Sequence, residues 1–492
     1  MLAKTISLGN EELKKYRYIF IAALVSYILI FGFELTHFTL SIDEELMDNF
    51  HQTLSLGRWG HALLRKYILP EPYIPFFTLI LSILILSVSS VIASVYLDLS
   101  TRQSVIFVIM LAAIPQMAYQ LEFSNQADTI AISVLCSVLS LTLLNRLSIV
   151  NAVSFVLLTV ASLSIYQSIF LYAASLLMVW VSIGVFRGNL NFIKSLKICT
   201  IFLFLVIISL IINSYVSVVV SSHYNVAISD YLSDRMGWKI APTHTIIMNI
   251  IGVTRDYLTF NAEYGMNAFP FSVLFLLASV AGAFYYRKNP ILTSVVLVLT
   301  FFSAFSLNFA LGMRLPPRTM TQIPVVFAGL FIMAVLIFRL NVSALVIALM
   351  FLLTSAASSN RLFYTDYMAR KADDHLATRI VVAIQQEYPT VDIDNTPIFF
   401  YGSYTPYNQW SLANSDIFGR SFFSQDKGNN TRMNGYLSIS NIIKVKRPNP
   451  EQVAMAREAG ADLPSWPNKG SVSMVNGVLI VKLSNELSKY NN

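Results

Sequence analysis

Eleven stretches of the chain are apolar over roughly the 20 residues that a helix needs to cross a bilayer. They fall near 18–38, 74–97, 104–121, 126–144, 149–164, 166–186, 197–220, 268–286, 291–311, 320–338 and 342–358. The stretch 149–186 reads as one long helix or as a tight pair, and the loop cations favour the pair. After residue 358 the pattern changes. Arg361–Tyr388 predicts a helix that Pro389 interrupts. Residues 398–401, 439–445 and 475–483 predict strands, and Pro450–Ala459 predicts a second helix with its proline at the start. The fold class expected is therefore an all-α polytopic membrane protein with a small C-terminal α/β domain.

Polar connections set the expected orientation. If Lys14, Lys15 and Arg17 are cytoplasmic, then Arg102, Arg146, Arg187, Lys194, Lys197, Arg287, Lys288 and Arg339 are too. Those connections are short and basic, as cytoplasmic loops are. The expected organisation is a cytoplasmic lead, 1–17, and a membrane module, 18–358. Its outer loops are 39–73, 221–267 and 312–319. A domain at 359–492 follows on the outer side, the periplasm of a Gram-negative bacterium. The second outer loop carries Asp230, Asp234, Trp238, His244, Arg255, Asp256 and Glu263. In the first, Ile42, Leu46, Phe50 and Leu54 recur every four residues, which predicts a helix lying along the membrane surface.

Composition agrees with this pattern. Hydrophobic residues make up 55% of the chain and charged residues 12%, against about 25% charged in a soluble protein. Of the 34 Lys and Arg and 27 Asp and Glu, 26 lie beyond residue 358, which marks that portion as water-facing. The net charge of +7 reflects cations in short loops and does not point to nucleic acid. Cys136 and Cys199 both lie in apolar runs, and six histidines are scattered. No cofactor is expected: a divalent metal has no ligand set, and no glycine-rich loop offers a nucleotide site.

The candidate chemistry sits in the outer loops. Asp43, Glu44 and Glu45, with Asp48 beyond them, follow the first span directly. A structural reading exists, because Ser41 and Glu44 have capping-box spacing and acids favour a helix start. The functional reading is a carboxylate that takes the proton from a sugar hydroxyl or stabilises an oxocarbenium-like centre. Next come Arg58, Trp59, His61, Arg65 and Lys66. Arg58, His61 and Arg65 share one helical face and can hold a phosphate, or can snorkel to lipid headgroups. Arg314 and Arg318 flank two prolines and carry the same two readings. Glu122 and Asp128 occupy the turn between the third and fourth spans, and they line a cavity or an exposed turn. Tyr401, Tyr404, Tyr407 and Trp410 form an aromatic loop that either stacks on sugars or packs.

The short lead, the single span and Ser41-Ile-Asp-Glu-Glu at the outer surface, with Gly57-Arg-Trp-Gly after it, resemble the phage-type serotype-conversion glucosyltransferases, the Gtr type-II group. The resemblance covers most of the chain as an architecture and is specific at motif level only at Ser41–Gly60. It implies a GT-C fold with a catalytic acid in the first outer loop. It also implies undecaprenyl-phosphate-glucose as donor, a sugar of lipopolysaccharide O-antigen, often rhamnose, as acceptor, and action at the periplasmic face of the bacterial inner membrane. Expected partners are the bilayer, a flippase for the lipid donor and a synthase that makes it. Family members often carry two aspartates where this chain has Asp43-Glu44, so either acid remains open as the base. Two rivals stand beside this reading. One is a GT-C transferase with another polyprenyl-phosphate sugar, or with lipid A or protein as acceptor. The other is a flippase or transporter of lipid-linked sugars, which predicts repeated halves or mid-membrane charges, and the sequence has neither.

Overall fold

The computed structural model of the chain describes residues 10–46, 49–146, 148–230 and 236–487. Asp48 and Asp234 lie outside the described residues. The chain forms two compact units. The first holds residues 1–36 and 50–360, and the second holds 37–49 and 361–492.

The first unit is a multi-pass membrane bundle. Each of the eleven apolar segments is helical. Six helices are long and apolar enough to cross a membrane: Lys14–Thr36, Pro75–Tyr96, Gln167–Phe186, Phe192–His223, Met266–Tyr285 and Asn341–Glu387. A bent pair, Thr101–Ala112 with Pro115–Leu121, makes a seventh if counted as one span. Ala127–Leu143, Ile149–Ile165, Pro290–Ser303 and Ile323–Phe338 are shorter, at 14 to 17 residues. At 1.5 Å per residue these reach about 21–26 Å, less than the hydrocarbon thickness of about 30 Å. The stretch 149–186 is a pair, because Tyr166 is extended at φ −152° and ψ 112° and ends the first helix.

Local chemistry starts and stops these helices. Ser148 and Asn191 accept the backbone N–H three residues on, and Ser100 with Gln103 forms a capping box. Within the bundle, Ser82, Ser87 and Ser90 return their hydroxyls to the carbonyl four residues earlier. Their polar atoms are thereby satisfied inside an apolar interior. Ile323–Phe338 is apolar all round and buried along nearly its whole length, as a central helix should be. Phe192–His223 buries only 28% of its apolar window. Its outward Leu203, Phe204, Ile207 and Ile211 form the kind of surface that lipid covers.

The second unit is built on a three-stranded sheet. Strands β1 (Ile398–Tyr401), β2 (Val472–Val475) and β3 (Val478–Lys482) run in the order β1-β3-β2. β1 is parallel to β3, with Ile398 opposite Leu479, and β2 is antiparallel to β3. Both faces are covered, so β1 is buried at every position. Ile398 and Phe400 face a core with Ile380, Ile384, Phe422 and Tyr436. Phe399 and Tyr401 face the helix Pro450–Gly460 through Ala456.

Three sequence expectations change here. Residues 475–483 are not one strand. Asn476 and Gly477 both have positive φ, 46° and 77°, and turn the run into a hairpin between β2 and β3. Residues 439–445 are not a strand either. They follow a helix, Asn430–Ile439, which Asn429 caps, and beyond them Lys446 makes an isolated bridge to Pro397. The surface helix expected from Ile42, Leu46, Phe50 and Leu54 does not form. Residues 41–46 are turns in the second unit, whereas Phe50–Ser55 is a short helix of the first. The four-residue recurrence fails because Ile42 is buried in the sheet domain's core and Leu54 in the bundle.

Candidate functional site

The acidic segment is a turn rather than a helix start. The Glu44 amide donates to the Ser41 carbonyl oxygen at 3.1 Å, and Asp43, third in that turn, has φ +82°. Such a φ suits glycine or asparagine and is costly for other residues. Two side chains hold it in place. Glu44 Oε2 accepts the Ser41 amide at 2.9 Å, and Glu45 Oε2 accepts the Asp43 amide at 2.8 Å. One half of the capping-box pattern is thus present, closing a turn with no helix after it.

A guanidinium from the far end of the chain completes the network. Arg432 Nη1 lies 2.8 Å from Asp43 Oδ1 and 2.7 Å from Glu45 Oε1, and its Nε lies 2.6 Å from Asp426 Oδ2. Arg432 stands in the first turn of Asn430–Ile439. That helix can approach because Gly435 lies against the Glu45 backbone, where a Cβ would come within 2.8 Å of the Glu45 carbonyl oxygen. Burial raises the Glu45 carboxyl above its ordinary range, and Arg432 partly offsets this. Burial works against the charge on Arg432, yet Glu45 and Asp43 outweigh it and raise its pKa. Glu44 and Glu45 are buried, while Asp43 keeps 44% of its side chain exposed. Among the three acids, Asp43 is the one that a substrate hydroxyl can reach.

The basic set belongs to the first unit, and the fold uses its members differently. The helix Trp59–Tyr67 lies on Ile149–Ile165 through Gly60, whose missing side chain leaves room for Ser164. Arg58 stacks over the Tyr166 ring at 4.5 Å, and Trp59 Nε1 donates to Asn213 at 3.0 Å. His61 is buried with Nδ1 2.9 Å from Thr129 Oγ1. That hydroxyl donates to the Gln126 carbonyl oxygen at 2.8 Å, so His61 Nδ1 carries the proton and donates. Burial, with Arg65 and Arg58 nearby, pushes the imidazole down to about 3. His61 is therefore neutral and cannot serve as a phosphate cation. Arg65 is buried and bonded to Asp128, with Glu71 at 3.7 Å. Two candidates from separate loops are thus partners of each other. Lys66 sits over the rings of Phe50 and Tyr224, at 4.6 and 4.5 Å. The residue is nevertheless exposed.

A third group forms where three segments of the bundle meet. Gln116 donates to the Pro317 carbonyl, and Tyr119 donates to the Tyr264 carbonyl at 2.8 Å. Gly265, at φ +87°, packs on Pro115. Arg314 binds Asp256, to which Arg255 also reaches at 3.4 Å. Arg314 still exposes 55% of its side chain. Arg318 lies over Phe123 at 5.5 Å, and Glu122 is buried beside them in sequence. In the second unit Trp410 packs edge-on to Tyr364 at 5.0 Å, whereas Tyr407 is exposed.

Sequence reasoning missed Arg432, Asp426, Asp256, Gln116 and Gln120 as site residues. For the two glutamines a signal existed: two amides four apart inside an apolar segment. For Arg432 none did, because Glu45 lies 387 residues away. Among the described residues, no three His, Cys, Asp or Glu side chains converge as metal ligands would.

The family model for glucosyl transferase GtrII matches residues 32–338, more than half of the chain. The match includes the acidic turn, the basic helix, Arg314 and Arg318. No curated protein matches the chain, and no solved structure does.

Proposed function

The chain belongs to the GtrII glucosyl transferase family, and from that membership we propose a specific reaction. The enzyme moves glucose from undecaprenyl-phosphate-glucose to a sugar, rhamnose, of lipopolysaccharide O-antigen, and so converts serotype. It works at the periplasmic face of the inner membrane, with eleven spans in a GT-C arrangement. A flippase and a synthase supply the donor. The observation that carries this reading is the family match across residues 32–338, because it includes both the acidic turn and the arginines.

Roles follow from the environment of each residue. Asp43 is the general base: its side chain is accessible and its backbone is held at φ +82°. It takes the proton of the acceptor hydroxyl as that oxygen bonds to the anomeric carbon of glucose. The bond from that carbon to the phosphate oxygen breaks, and the lipid phosphate leaves with the electron pair. A phosphate leaving group needs no general acid. Glu44 and Glu45 position the turn and do not take the proton. Arg314 and Arg318 hold the donor phosphate through charge-assisted hydrogen bonds, and Arg58 is the third cation for that task.

The test is transfer of labelled glucose from the lipid donor to O-antigen in membranes. Asp43→Asn is expected to lower turnover by roughly a hundredfold or more, the usual range for a lost general base. Glu44→Gln should retain more activity than Asp43→Asn. Full activity in the Asp43→Asn protein overturns the assignment.

A further inference from the structure

We infer that Gln116 and Gln120 form the subsite that binds the hydroxyl groups of the transferred sugar, an inference that rests on the glycosyl-transfer reading above. The segment 101–121 is apolar enough for one span, but it breaks after Ala112 with a bend of 42°. Pro115 offers no amide proton to continue the helix. The chain resumes as a 3₁₀ turn, Pro115–Met117, and a short helix, Ala118–Leu121. This places Gln116 and Gln120 one turn apart, on one side of the resumed piece.

Both side chains are 0% exposed. Gln116 donates one bond to the Pro317 carbonyl, while its Oε1 and both polar atoms of Gln120 have no partner among the described residues. Ser82, Ser87 and Ser90 of the same bundle satisfy themselves on their own helix, which a glutamine amide with both a donor and an acceptor end does less readily. A buried amide without a partner is disfavoured unless something else completes it. Neighbouring groups on this segment are already committed. The Tyr119 hydroxyl is bonded to the Tyr264 carbonyl at 2.8 Å, and Gly265 closes on Pro115. The Gln116 oxygen and the Gln120 amide remain uncommitted among the described residues.

Their chemistry names the ligand class. A primary amide both donates and accepts, which matches neutral hydroxyls. An anion would be held by arginine and an alkyl chain by apolar side chains. Two amides one turn apart, about 5–6 Å between Cβ atoms, suit neighbouring hydroxyls of one pyranose ring. Broken helices are also where membrane proteins build polar subsites within an apolar bundle.

The experiment uses the full chain in detergent with polyprenyl-phosphate-glucose and its single-deoxy analogues. Wild type is expected to transfer at least one deoxy sugar roughly tenfold or more slowly than glucose, because a site built to bond a hydroxyl rejects the analogue that lacks it. Gln120→Leu is expected to keep or raise the thermal midpoint, to lower kcat/KM for glucose, and to lose that discrimination. Equal transfer of all deoxy donors by wild type overturns the inference whether or not the variant folds. So does a Gln120→Leu protein that transfers at the wild-type rate, or one that loses activity only together with its thermal midpoint. A wild type that transfers no glucose at all overturns the parent reading, and this inference with it. The two failures are therefore distinguishable.

Discussion

Two ion networks of the molecule are built differently. In the second unit one guanidinium, Arg432, serves three carboxylates: Asp43, Glu45 and Asp426. Negative charge is in excess there, and one of the acids stays exposed. In the first unit Arg65 and Asp128 form a buried pair, with side chains 6% and 0% exposed, and the neighbouring His61 is neutral. The pair itself is hidden, and only Glu71, 3.7 Å from Arg65 and 39% exposed, links it to the surface. Carboxylates do chemistry where they outnumber their cations and meet solvent. Where a cation and its carboxylate are both hidden, the pair holds helices together.

The largest test of this contrast breaks the closed pair. Arg65→Leu leaves Asp128 buried without its cation and is expected to cost about 3–5 kcal/mol. Adding Asp128→Leu should recover most of that loss. Thermal unfolding of the single and double variants in detergent measures both, and a single variant as stable as wild type would remove the contrast.

A smaller effect is expected in the open network. Arg432→Gln removes charged hydrogen bonds worth about 1.5–3 kcal/mol, and the turn at Asp43 loses its anchor. The pH dependence sharpens the test. Glu45 has a folded pKa raised above 4.5 by burial, so the native state favours its protonated form. Its contribution to stability is full below that ordinary value and is lost as pH rises through the raised one. Without Arg432 the carboxyl rises further, so the deficit of the variant should grow as pH increases from the acid side. Thermal midpoints measured between about pH 4 and pH 8 decide it; a deficit that shrinks with rising pH contradicts the assigned cause.

The smallest effect belongs to Lys66. Its place over Phe50 and Tyr224 is worth about 0.5–1 kcal/mol at an exposed site. Lys66→Ala should shift stability by no more than that and should change the KM for the lipid donor less than Arg314→Ala does. A larger KM change at Lys66 would restore it as a phosphate ligand.

Particular residues show where the sequence was readable. β1 was legible because Ile398–Tyr401 is a short apolar run set off by Pro397. The expected strand 475–483 holds β3 but only the last residue of β2, because it ran through Asn476-Gly477, although that pair is a strong hairpin signal. The helix Asn430–Ile439 was missed because Asn434 and Gly435 are poor helix formers. It forms because Tyr436 and Leu437 enter the core and Gly435 fits against Glu45. Asp43, Glu44 and Glu45 stood out in the sequence, but their differing exposure did not.

What the sequence determined by itself is the helical bundle. A segment in lipid must satisfy its own backbone hydrogen bonds, so length and apolarity within one segment are enough to specify a helix. What only the tertiary structure decided is the state of each polar group: Asp43 exposed beside Arg432, Arg65 closed on Asp128, His61 neutral, Gln120 unpaired. Those states depend on burial and on distances of a few ångströms between segments up to hundreds of residues apart, and local sequence carries neither.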